Sequence, residues 1–306
     1  MLNFDCEDPA TAGSPVLIAG PTASGKSALA LRIAERDGGV ILNADALQVY
    51  DCWDVLSARP SPRDLDRVPH LLYGHVSGAR RHSVGDWLRD VAALLPGLAA
   101  AGRRPIFVGG TGLYLEALTR GLAEIPEVPA ELRRQSEDRL AAGDLAGMVA
   151  DLDAETRDRI DLANPRRVQR AWEVLRATGR GIARWQAETP PPVLADWRGY
   201  VVDVETETLN NNITLRLQDM VARGALAECA AYAARFSDPT LPSAQVLGAR
   251  EFTAHLRGEM SLEAALDAAA IATRQYAKRQ RTWLRNRFGD WPRIVPDRGQ
   301  PAQSSP

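Results

Sequence analysis

The run GPTASGKS, from Gly20 to Ser27, sets two glycines, a lysine and a serine at the spacing G-x-x-x-x-G-K-[ST], a spacing that cradles phosphate. Its glycines let backbone N–H groups turn inward around phosphate oxygens, and the start of the following helix adds partial positive charge. Lys26 supplies a full charge, and the hydroxyl of Ser27 can ligate Mg²⁺. Gly20, Pro21, Thr22, Ala23, Ser24, Gly25, Lys26 and Ser27 are therefore the candidate phosphate-binding residues, with Ser27 the candidate metal ligand. The motif does not say whether the phosphate belongs to ATP. A nucleoside triphosphatase carries an Asp at the end of another apolar strand to hold Mg²⁺ and water, but the best such strand here, PIFVGGTG, ends in Gly109 and Gly110. The carboxylate in the right kind of place is Asp45, at the end of VILNAD, as metal partner or as base. These residues alone describe a P-loop enzyme with a phosphate-containing substrate, a kinase or another transferase.

The segments that must position this chemistry alternate in type. PVLIAG before the loop, GGVILNAD at 38–45 and RRPIFVGGTG at 103–112 are short apolar runs ending in polar or glycine loops, and the helical SVGDWLRDVAALLPGLAAAG lies between the last two. Strands alternating with helices predict an α/β fold, a P-loop NTPase-like parallel sheet flanked by helices, with the ligand at the carboxyl ends of the strands. From about Pro126 the periodicity becomes helical and strand signals fade, up to the prolines TPPPV at 189–193; WRGYVVDVE then returns as a strand. The expected organisation is a first part of the core at 1–125, an all-helical insertion domain at 126–197, and a return to the core at 198–306 with a basic C-terminal helix. The tail at 296–306 is expected to be disordered.

Composition narrows the class. The 306 residues are 45% hydrophobic, enough for a sizeable core. No apolar run reaches the roughly 18 residues a membrane helix needs, and the N-terminus lacks the basic-then-apolar order of a signal peptide, so a cytoplasmic protein is expected. Cys6, Cys52 and Cys229 make no CxxC pair, and His70, His75, His82 and His255 show no metal-ligand spacing, so neither disulfides nor zinc chemistry is expected. Net charge is −2, so any nucleic-acid binding must come from local patches. Two exist: Arg166, Arg167, Arg170, Arg176, Arg180 and Arg184 stand against the single acid Glu173 over 165–184, and Arg274, Lys278, Arg281 and Arg285 share one helical face. A charge run by itself is more often a solvated face.

Taken in order, GPTASGKS, NADALQVYDCWDVLSARP (43–60), VPHLLYGHV (68–76), VGGTGLYLEAL (108–118), NPRRVQRAWEV (164–174) and TRQYAKRQRTWLR (273–285) resemble the tRNA dimethylallyltransferases, also called tRNA isopentenyltransferases, over nearly the whole chain. The resemblance implies that the P-loop holds the diphosphate of dimethylallyl diphosphate with Mg²⁺, and that the dimethylallyl group goes to N6 of the adenosine 3′-adjacent to the anticodon in tRNA. It makes Asp45 the base for the adenine amine, Lys26 and Arg216 the catalytic cations, and the tRNA anticodon stem-loop the partner. The implied tRNA contacts are Asp45, Ala46, Leu47, Gln48, Thr111, Arg133, and Gln169, Arg170, Ala171, Trp172 and Glu173, to which the basic face adds Arg274, Lys278 and Arg281. Helical spacing by itself reads Trp172 and Trp283 as core.

Departures are visible. Asn212 stands where the family usually has a first arginine four residues before Arg216, and Ala249 stands where an aromatic is common. The chain ends without the zinc-finger extension of eukaryotic relatives, which points to a bacterial-type enzyme, and a monomer is expected. The rivals are an adenylate isopentenyltransferase, which prenylates a free nucleotide, a small-molecule P-loop kinase, and a non-catalytic RNA-binding protein. Residues 126–197 and 273–285 favour tRNA over the first, and a complete P-loop with Asp45 is idle in the last.

Overall fold

The computed structural model describes residues 13–295; Cys6 and the tail at 296–306 lie outside them. In chain order the elements are β1 (Val16–Ala19), α1 (Lys26–Asp37), β2 (Val40–Asn43), α2 (Pro62–Arg67), β3 (His70–Leu71), α3 (Val84–Ala100), β4 (Pro105–Gly109) and α4 (Gly112–Arg120). There follow α5 (Ala130–Ala141), α6 (Leu145–Ala150), α7 (Ala154–Arg159), α8 (Pro165–Thr178) and α9 (Ile182–Ala187). The last are β5 (Arg198–Val202), α10 (Thr206–Ala222), α11 (Ala225–Arg235), α12 (Ala249–Leu256), α13 (Leu262–Arg287) and β6 (Arg293–Ile294). Ala117–Val193 forms one compact unit and the remainder of the chain another. The sequence reading had put the helical insertion at 126–197.

The larger unit is built on a six-stranded sheet ordered β3-β2-β4-β1-β5-β6, with every pairing parallel. Strands β1, β2 and β4 are buried at every position, which is why VLIA, VILN and PIFVG read as unbroken apolar runs and not as alternating ones. Leu17, Ile18, Ile41, Leu42, Ile106 and Phe107 are fully buried there, each contributing roughly 1.5–3 kcal/mol against an exposed position. Strands β3 and β6 were not foreseen: two residues each, at the sheet's edges, leave too little sequence for a periodicity. Helices α2 and α3 begin at capping boxes, Ser61 with Asp64 and Ser83 with Asp86, each worth about 1 kcal/mol and each fixing where a loop ends.

The smaller unit is all helical. Its core gathers Met148, Leu152, Val168, Ala171, Trp172, Val174 and Ile182, most of them from the buried stripe of α8. Asn164 caps α8 by accepting from the N–H groups of Arg166 and Arg167, and Pro165 follows at the first turn, where its missing N–H costs nothing. Among the described residues no helix is long and apolar enough to cross a membrane.

Candidate active site

Because β2, β4 and β1 are neighbours and parallel, the loops after them meet at one end of the sheet. The loop after β1 is GPTASGKS. Gly25 takes φ 85° as the cap of α1, and Ala23 is held at φ 62°, a left-handed conformation that an alanine adopts only under constraint. The constraint is visible: Asn212 Nδ2 of α10 donates to the Ala23 carbonyl at 3.1 Å, and the Thr22 N–H donates to Gln280 Oε1 of α13 at 2.9 Å. Gln280 is buried, and its Nε2 donates to the Gly110 carbonyl at 3.0 Å, so one side chain ties the P-loop to the loop after β4.

That second loop needs its glycines for close approach. A Cβ on Gly109 would lie 1.9 Å from the Ala44 carbonyl oxygen, and one on Gly110 would lie 2.1 Å from Gln280 Nε2. The missing strand-end Asp thus has a packing reason: β4 ends hard against the loop after β2. Thr111 closes that contact, its N–H donating to the Ala44 carbonyl at 3.2 Å and its hydroxyl accepting from the Ala46 N–H at 2.9 Å.

Asp45 is presented by Asn43, which is fully buried at the end of β2. The Asn43 Oδ1 accepts from the Asp45 N–H at 2.8 Å, and its Nδ2 donates to the carbonyls of Asp45 and Leu72 at 2.9 and 3.0 Å. Trp87 of α3 in turn donates to the Asn43 carbonyl at 2.8 Å. Asp45 Oδ1 accepts from the Leu47 N–H at 3.0 Å, which leaves its other oxygen for the cavity it lines. Gln48 spends its amide hydrogens on the carbonyls of Ser57 and Ala58, at 3.0 and 2.8 Å, and so shapes the cavity rim.

The cavity measures about 490 Å³. Thr22, Lys26, Ser27, Asp45 and Arg216 line it, and so do the aliphatic side chains of Leu31, Ile41, Leu47, Leu56, Met220 and Val246. Burial pushes the Lys26 ammonium down to about 8, against the pull of the Asp45 carboxylate and with help from the Arg216 guanidinium. Burial likewise lowers Arg216, again opposed by Asp45. Other cavity arginines have acidic neighbours: Arg67 forks onto Glu35 at 2.7 and 2.8 Å, Arg223 meets Asp219 at 3.2 Å, and Arg59, whose Nε is buried without a hydrogen bond, lies 3.9 Å from Asp54. Lys26 and Arg216 have no carboxylate within 4.0 Å among the described residues, and they face one space. Two half-buried cations without an ion pair among the described residues are a site for an anion, since charge withdrawn from water is costly until its partner arrives. Ser27 lines the same space, and its hydroxyl with phosphate oxygens and water makes the all-oxygen donor set that Mg²⁺ takes, so the residues present fit that ion.

The residues expected to meet tRNA fall in both units. Ala46, Leu47, Gln48 and Thr111 lie around Asp45 in the larger one. On α13, Arg274 donates to Thr214 Oγ1 at 3.0 Å and Arg281 to Thr206 Oγ1 at 2.6 Å, while Lys278 and Arg285 are exposed without an ion pair among the described residues. In the smaller unit Arg133 pairs with Glu127 at 3.3 Å. Gln169 and Glu173 are buried around Ser136, whose hydroxyl accepts from Gln169 Nε2 at 2.9 Å and donates to Glu173 Oε1 at 2.7 Å. Arg170 lies 3.6 Å from Glu173. Ala171 and Trp172 are core, as helical spacing had it for the tryptophan. Trp172 donates to Asp151 Oδ2 at 2.9 Å, and the guanidiniums of Arg139 and Arg176 stand 5.3 and 5.4 Å from its ring. Hydrogen bonds from Arg139 and then Trp172 hold the Asp151 carboxyl down at about 2. Much of the arginine run is thereby paired within its own unit, Arg176 with Asp151, Arg180 with Glu188 and Arg184 with Glu155.

Asn43 and Gln280 escaped the sequence reading. Both carried a signal: Asn43 is the one polar residue in a strand otherwise apolar on both faces. Gln280 sits on the buried stripe of α13 with Ala269, Thr273, Ala277 and Leu284. A polar amide at such a position has to bond something.

A cavity lined by cations and by aliphatic side chains suits a group-transfer enzyme whose donor is an apolar group esterified to phosphate. The family model for IPP transferase matches residues 48–287 of the chain, and that for isopentenyl transferase matches residues 14–73. The chain is 60% identical over 282 residues to a tRNA dimethylallyltransferase of Cereibacter sphaeroides, covering 92% of this chain and 88% of the relative. A second, from Dinoroseobacter shibae, is 58% identical over 291 residues, with 94% and 96% covered. Among solved structures, the full-length tRNA isopentenylpyrophosphate transferase of Bacillus halodurans superposes with a TM-score of 0.65 at 28% identity, over 92% of this chain and 90% of that one. A eukaryotic dimethylallyltransferase acting on tRNA gives 0.75 at 25% identity, over 92% and 73%. The chain belongs to the IPP transferase family, whose members here are tRNA dimethylallyltransferases.

Proposed function

We propose that the chain transfers the dimethylallyl group of dimethylallyl diphosphate to N6 of the adenosine 3′-adjacent to the anticodon in tRNA and releases diphosphate, in the cytoplasm. The observation that carries this reading is the pair of cations without an ion pair among the described residues, Lys26 and Arg216, in a cavity that Leu31, Ile41, Leu47, Met220 and Val246 also line. A diphosphate answers the first and a five-carbon branched chain the second.

The chemistry follows from those positions. As the allylic C1–O bond breaks, charge grows on the departing diphosphate, and the Lys26 ammonium, the Arg216 guanidinium and the N–H groups at the start of α1 stabilise it. Ser27 would hold Mg²⁺, which when bound would supply further charge neutralisation to the leaving group. The adenine amine attacks C1; its lone pair is delocalised into the ring, so the free oxygen of Asp45 assists by accepting the N6 proton as the N6–C1 bond forms. An adenosine in a stacked anticodon loop has to swing out to reach a donor in this cavity, which Asp45, Leu47 and Gln48 line.

The test incubates the protein with Mg²⁺, dimethylallyl diphosphate and unmodified tRNA, then weighs the digested nucleosides. The expected product is a prenylated adenosine that vanishes with Lys26→Ala. Prenylation of free adenine nucleotides with tRNA left unchanged, or Lys26-dependent phosphoryl transfer from ATP, would overturn the reading.

A further inference from the structure

Away from the cavity, His75, His82 and Asp90 converge although nothing in their spacing along the chain announces it. His75 follows β3, His82 directly precedes the Ser83 cap of α3, and Asp90 lies on the second turn of α3. Each offers one ligand atom, and the three atoms lie within 4.8 Å of one another. Asp90 Oδ2 is 3.0 Å from His75 Nε2 and 3.4 Å from His82 Nε2. The His82 side chain is only 7% exposed, and its Nε2 is a buried nitrogen with no hydrogen-bond partner; at 3.4 Å it lacks the alignment of a hydrogen bond to Asp90. A buried ring nitrogen left idle and aimed at a carboxylate oxygen and a second imidazole calls for a ligand that accepts lone pairs. None of the three lines the substrate cavity, so the proposed reaction does not use them.

We propose that His75, His82 and Asp90 form a binding site for a borderline divalent transition-metal ion such as Zn²⁺, with the fourth position open to water on the exposed side of His75. Two imidazoles and one carboxylate are a donor set for such an ion and a poor one for Mg²⁺. Ligands at about 2.0–2.1 Å in a tetrahedron are about 3.3 Å apart, and the two separations to Asp90 straddle that value. The bound ion would tie three pieces of the larger unit together. Beside His75, the Gly74 N–H donates to the Gln48 carbonyl at 2.9 Å and Val76 bridges to Tyr50, while α3 holds the Asn43 carbonyl through Trp87. The site is thus a clamp behind the loop that presents Asp45, and it is independent of the Mg²⁺ chemistry in front of it.

The test uses the untagged full chain at pH 7.5 with Co²⁺ as a visible probe. The expected result is saturable uptake of one Co²⁺ per chain with tetrahedral d–d absorption, displaced by Zn²⁺ and not by excess Mg²⁺. Zn²⁺ at a hundredfold excess over its Kd should raise Tm by about 5 °C. His82→Ala and Asp90→Asn should each weaken binding by at least tenfold, and His255→Ala should leave it unchanged. Because His82 is buried, His75→Ala, at an exposed position, gives the same reading should His82→Ala fail to fold. Absence of saturable uptake, or uptake unaltered by His75→Ala, overturns the site.

Discussion

Asp45 keeps one oxygen on the Leu47 N–H and turns the other to the cavity, so orientation and reactivity are divided between its two atoms. Asp45→Asn preserves the shape and removes the proton acceptor. Single-turnover rates should fall by about 10²–10⁴ while donor KM changes little, because the diphosphate is held elsewhere. Lys26 makes the converse prediction. With its ammonium pushed down to about 8 by burial, the free enzyme loses the charge that receives diphosphate as pH rises through that value. The sign is therefore a fall in kcat/KM for the donor above pH 8, approaching tenfold per pH unit, with full capture below. The kcat profile should be flatter, since the bound diphosphate holds the proton on. Lys26→Met should show a low, level profile over the same range, and a limb near pH 8 that persisted in it would assign the titration to another group. Asn212, standing where the family's first arginine is usual, braces the Ala23 carbonyl of a strained loop residue. Asn212→Ala removes one neutral hydrogen bond worth about 1 kcal/mol, so donor KM should rise about fivefold with kcat nearly unchanged.

At the scale of elements, the site is a meeting of three strand ends, locked from the side by a helix far along the chain. Gln280 supplies two bonds of that lock, to Thr22 and Gly110. Gln280→Leu keeps the volume but strands a backbone donor and acceptor, each lost bond costing about 1 kcal/mol. Donor kcat/KM should fall by about tenfold or more, with a lowered Tm as the companion reading; unchanged kinetics in a folded variant would reduce Gln280 to packing. The strands β1, β2, β4 and β5 and the P-loop were legible because a parallel sheet covered on both faces writes continuous apolar runs, and because the glycine-lysine spacing admits few other uses. The edge strands β3 and β6 were not legible, being two residues long. Nor was the role of Gln280, whose partners lie 258 and 170 residues away in the chain. The cluster of His75, His82 and Asp90 escaped for the same reason: a loop folds it onto a helix, and no fixed interval records that.

At the scale of the whole molecule, a chain of net charge −2 has to bind a polyanion by placing its cations, not by outnumbering acids. Arginine counts overstate the available charge, since Arg139, Arg176, Arg180 and Arg184 are already paired inside the helical unit. The cations left free on α13 are few, with Lys278 and Arg285 exposed and unpaired among the described residues. If these meet tRNA phosphates, counterion release makes tRNA binding fall linearly with salt on logarithmic axes, at about 0.7–0.9 in slope for each phosphate contact. Donor binding, enclosed in a cavity with fixed charges, should respond far less. Lys278→Gln should therefore weaken tRNA binding at low salt, lower the slope by about 1, and leave donor KM and Tm where they were. Measuring tRNA KM from 50 to 300 mM KCl for both proteins separates the cases. Parallel lines for the two would mean that Lys278 is a solvated charge, and the phosphate contacts would then have to come from cations of the helical unit such as Arg167, exposed and without an ion pair among the described residues.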